Sequence, residues 1–122
     1  VSASVDCADL IGRPYTYGGF DCIHLVYEVL ERMQIPTPPF DLRWYEGNRV
    51  QIGRALLTWG RRIEQPTYDG DVVLLADEQL AFAVVWQAGL LYMNRQVEAV
   101  AWCPLQQVPS CVAFRCSRLS GN

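Results

Sequence analysis

Tyr15-Thr-Tyr-Gly18-Gly19-Phe-Asp21-Cys22 is the stretch on which the reading of this chain turns. The two glycines allow tight backbone just ahead of the next element. Asp21 is a favourable N-cap for a helix running to about Gln34. Its apolar positions Cys22, Leu25, Val26, Val29, Leu30 and Met33 follow the i, i+3, i+4, i+7 spacing of a buried stripe. Cys22 then stands in the first turn, where unpaired N–H groups and the helix dipole favour a thiolate. It also opens the buried stripe, so it reads either as a held nucleophile or as a small core residue. A thiol nucleophile normally works beside an imidazole. The single histidine, His24, follows two residues later, about 200° around the helix. It therefore points away from Cys22 and reads as partly exposed or satisfied within the core.

Outward from this stretch, residues 3–11 predict a short helix with Val5, Ala8 and Ile11 on one side. Gly12-Arg-Pro14 then forces a turn. Pro36-Thr-Pro-Pro39 stops the long helix and starts an extended crossing segment. A second helix is expected over about 47–59, with Ile52, Ala55, Leu56 and Trp59 as its stripe and Gly60 as its C-cap. The pattern then changes. Val72 to Leu75, Ala81 to Trp86, Gly89 to Met93, Val97 to Trp102 and Val112 to Arg115 read as short strands. Asp77-Glu-Gln79 and Gln87-Ala-Gly89 mark turns between them. Helices followed by a run of strands predict an α+β fold, N-terminal helices packed on an antiparallel sheet of about five strands.

Composition narrows the function. A chain of 122 residues reads as one domain over 1–122, and at 51% apolar it can bury a core. A net charge of -3 implies neither a nucleic-acid nor an acidic-membrane partner. All ten basic residues are arginines, which excludes lysine-based chemistry such as a Schiff base. No apolar run approaches the ~20 residues that span a bilayer, and Val-Ser-Ala-Ser at the start carries no secretion-signal pattern.

The block Gly12-x-Pro-Tyr15-x-Tyr-Gly18-Gly19-Phe-Asp21-Cys22-x-x-Leu25-Val26 resembles the nucleophile block of the NlpC-type cell-wall cysteine peptidases. Asp69-Gly70-Asp71-Val-Val-Leu-Leu75 resembles that family's Gly-Asp strand. The short Gly-Gly to Asp-Cys loop, Ile35-Pro and Phe40-Asp-x-Arg43-Trp44 are similar to the branch encoded by tailed phages, whose domains belong to tail-tip proteins. The resemblance covers roughly 11–115 and is strongest at 12–26. It implies a papain-like fold and activity on peptide stems of peptidoglycan. It makes Cys22 the nucleophile, Asp21 its helix N-cap and Tyr15 a hydroxyl near the oxyanion position. It also implies a basic His opening the strand after the Gly-Asp strand, and a polar residue about a dozen positions later to orient it. The chain departs at both places, with Ala81 at the base position and Met93 at the orienting position. Asn94 is one residue off, and a one-residue slip in a strand changes the face.

Five cysteines leave at least one unpaired within the chain. They are read as mostly free thiols, with one disulfide among the four other than Cys22 left open. Cys7, Cys103, Cys111 and Cys116 could instead hold zinc or an iron–sulfur cluster, although the spacing suits it poorly; no cofactor is the expectation. Trp44, Tyr45, Trp59, Trp86 and Trp102 could line a groove or anchor an interface, and Arg61-Arg62 reads as a solvated turn. Two functions follow from the resemblance. The first is a catalytically degenerate domain used as a structural part of a larger protein assembly, in the virion tail if phage-encoded. The second is a working peptidase or amidase that binds peptidoglycan.

Overall fold

The computed structural model describes residues 6–16, 19–37, 60–75, 81–108 and 111–115. Helix α1 (Cys22–Arg32) packs on a sheet of six strands. The strands are β1 (Arg61–Ile63), β2 (Val72–Leu75), β3 (Ala81–Trp86), β4 (Gly89–Asn94), β5 (Ala99–Pro104) and β6 (Cys111–Arg115). Their order is β1-β6-β2-β3-β4-β5, with every neighbouring pair antiparallel. The α+β class expected from the sequence is the class observed.

The stripe of α1 is buried as its spacing predicts. Leu25, Val26, Val29 and Leu30 are in the core, and Ile23 joins them. Burying each such side chain is worth about 1.5–3 kcal/mol, so the helix is held by packing more than by propensity. It ends at Arg32, short of Gln34. Gln34 takes a left-handed φ of 59°, its N–H donates to Glu31 O, and Ile35 N–H donates to Leu30 O. That pair of bonds is the Schellman closure of a helix end.

The sheet separates two apolar clusters. Val72, Phe82, Val84, Trp86, Leu91, Val100 and Phe114 share a cluster with α1. Val73, Ala83, Val85, Leu90 and Ala113 form the second, on the other face. Alternation along each strand produces this division.

Three expectations are corrected. The sheet has six strands where about five were expected. The extra one is β1, whose arginines lie where a solvated turn was read; both are exposed, but the segment pairs with β6 from Arg61↔Arg115 to Ile63↔Ala113. Of the helix expected over 3–11, the described residues hold a 3-10 turn, Ala8–Leu10, and Val5 lies outside them. Asp6 Oδ1 accepts from Ala8 N–H, and Gly12, at φ 92°, turns the chain away. Its buried residues are Cys7 and Leu10, while Ala8 and Ile11 are exposed. The fourth predicted strand, Val97 to Trp102, is shifted to Ala99–Pro104, because residues 95–98 form the turn after β4. The helix expected over 47–59 lies outside the described residues, as do Trp44, Tyr45 and the Asp77 turn.

Asp71 sits at the entry to β2 and is 1% exposed. Arg115 on β6 donates to both its carboxylate oxygens, at 2.9 Å each. Thr67 N–H and Tyr68 N–H also donate to Oδ2. The same guanidinium lies 4.7 Å from the centroid of the Tyr68 ring, and the carboxylate raises the pKa of Arg115. The Gly-Asp segment is thus a structural junction. Its neighbour Asp69 supports the β3–β4 hairpin by accepting from Gln87 N–H. That hairpin turns through Gln87 and Ala88, both at left-handed φ (56° and 58°), the geometry of a two-residue type I′ turn.

Two stability predictions follow from these contacts. Asp71→Asn leaves Arg115 without its counter-charge and is expected to cost about 3 kcal/mol, read as a lower midpoint in urea unfolding. Gly89→Ala drives a Cβ into the indole of Trp102. Trp102 is pinned by its Nε1–H bond to Trp86 O, so the expected cost is about 1–3 kcal/mol, with a change in Trp emission marking the displaced ring.

Candidate functional site at the start of the helix

Residues 12–15 run beside the start of β5, joined to it by an isolated antiparallel bridge at Pro14↔Ala99. Gly12 N–H donates to Val100 O, Val100 N–H to Arg13 O, and Tyr15 N–H to Glu98 O. The chain then closes a tight loop in which Thr16 N–H donates to Phe20 O and Phe20 N–H to Thr16 O. A Cβ on Gly19 would press on the Thr16 methyl at 3.0 Å, which would have to give by a few tenths of an ångström. Phe20 plugs the core below, with the Arg13 guanidinium 3.8 Å from its ring centroid.

Asp21 follows in extended conformation and caps α1. Its Oδ1 accepts from Ile23 N–H at 3.1 Å and His24 N–H at 3.2 Å, and it lies 2.9 Å from His24 Nδ1. The N-cap role expected of Asp21 is therefore the observed one. The carboxylate–imidazole contact was not foreseen from the sequence. The signal was present: His24 occupies the third helical position, from which a side chain reaches back to the cap.

Cys22 is the first residue of α1, partly buried and packed against the helix-face cluster. The anion that the helix N-terminus stabilises is already the Asp21 carboxylate, which takes the N–H groups of Ile23 and His24. The electrostatic support expected for a Cys22 thiolate is thereby shared with a fixed neighbour.

Met93 packs against the same cluster as Cys22. Ala81 opens β3 opposite Leu75, and Phe82, Val84 and Trp86 are the β3 residues in the helix-face cluster. On that strand Phe82 is the side chain on the face that Cys22 packs against. The register Val84↔Leu91, continued by two residues, sets Phe82 opposite Met93.

Asn94 is engaged elsewhere. Its Oδ1 accepts from Gln96 N–H and Val97 N–H in the turn before β5. Tyr15 stands on the β5 edge and is 41% exposed. The imidazole of His24 is 28% exposed and held by Asp21.

Of the four cysteines considered as a group, Cys7 and Cys103 lie on opposite faces of the sheet. Cys7 is buried in the helix-face cluster, whereas Cys103 packs against the cluster on the opposite face. Cys111 lies on β6 opposite Leu75, and Cys116 is outside the described residues. Among the described residues no three His, Cys, Asp or Glu side chains converge as a metal site, and Cys7, Cys22 and Cys103 form no disulfide there. Burial pushes the Cys7 thiol above its ordinary range, with the nearby Arg32 guanidinium opposing that shift. Burial likewise pushes Cys103 up. No helix among the described residues is long and apolar enough to cross a membrane.

No family model, curated protein or solved structure matches the chain.

Asp21→Ala removes the cap and the imidazole's partner together. The expected loss is about 1–2 kcal/mol, measured by thermal unfolding, with Asp21→Asn retaining most of the stability. Site-resolved iodoacetamide labelling at pH 6–7 checks the thiol. Cys22 is expected to react no faster than the thiol of an unstructured cysteine peptide, and Cys7 more slowly still. A Cys22 rate ten times that of the peptide would identify an activated thiolate instead.

Proposed function

We propose that this chain is a catalytically degenerate domain of the papain-like NlpC type that serves as a structural subunit of a phage tail tip or baseplate. One observation carries the loss of catalysis. The helix-start thiol packs against a sheet face that presents Phe82 and Met93, while the chain's single imidazole is bound to the cap residue Asp21. A base and proton donor contribute about 10²–10⁴-fold to such reactions. Without them a thiolate could attack an amide carbonyl, but the leaving amine would go unprotonated.

The resemblance of residues 12–26 to a nucleophile block supports descent from a peptidase. The phage-like short loop before Asp21 supports the tail-tip assignment. A domain that keeps the helix and its cap, with Ala81 and Met93 where the resemblance expects a base and its orienting residue, has a framework suited to being built into an assembly. The partners implied are other protein subunits, with peptidoglycan a further candidate contact.

The catalytic half is tested with purified peptidoglycan. Incubation with the chain is expected to release no stem-peptide fragments detectable by mass spectrometry. Release that disappears in Cys22→Ala would overturn the proposal in favour of a working peptidase or amidase. The assembly half is tested by sedimenting particles from lysates that produce the protein. The chain is expected to travel with them at a fixed copy number, and recovery only in the unassembled fraction would sink the structural role.

A further inference from the structure

We draw no further inference here: the strongest candidate, the exposed apolar strip of Ile11, Tyr15, Val97 and Trp102 that residues 11–15 and the β4–β5 hairpin bring to the β5 edge of the sheet, carries nothing because nothing in the structure shows what covers it.

Discussion

The carboxylate of Asp71 is the constraint on which the sheet depends. β2 lies between β6 and β3, and a buried charge at its entry must be paired or it destabilises the fold. Arg115 supplies the countercharge from β6, and two backbone N–H groups of the preceding turn complete the shell. The main chain at the same residue links to β3, because Val85 N–H donates to Asp71 O and Gly70 N–H donates to Val85 O. Side chain and backbone of one position thus join three strands. With the central strands in place, Val72, Val84 and Leu91 fall on one face, and α1 has a surface to pack against.

That surface is also what the thiol meets. At the helix start Cys22 packs against the apolar side chains of the helix-face cluster. Beside it the Asp21 carboxylate and the helix end compensate one another locally. The carboxylate therefore has a complete structural role: it starts the helix, holds His24 and satisfies backbone donors. None of these contacts requires Cys22 to react.

Much of the fold was legible because its signals are local. The α1 stripe repeats at helical spacing, and the runs at 72–75 and 81–86 are apolar and β-branched. The phase of β3 was not legible for the same reason. Phe82 and Val84 are buried on one face, Ala83 and Val85 on the other, so no polar alternation shows which residues look toward the helix. β1 was hidden because Arg61-Arg62-Ile63 has too few residues to display a period. The N-terminal turn was misjudged because a helical spacing of apolar residues was allowed to outweigh Asp6, whose side chain caps a single tight turn. At the site, Cys22 and Asp21 could be placed from the sequence.

The division of the core by the sheet has a consequence for the chain's redox chemistry. Cys7 and Cys103 belong to layers on opposite sides of a continuous hydrogen-bonded wall. A disulfide needs side chains that point toward one another, and side chains on opposite faces of one sheet point apart. The native fold thus insulates these two thiols from each other whatever the oxidising power of the compartment. A Cys7–Cys103 crosslink recovered from a sample would be a record that the wall had opened before the bond formed.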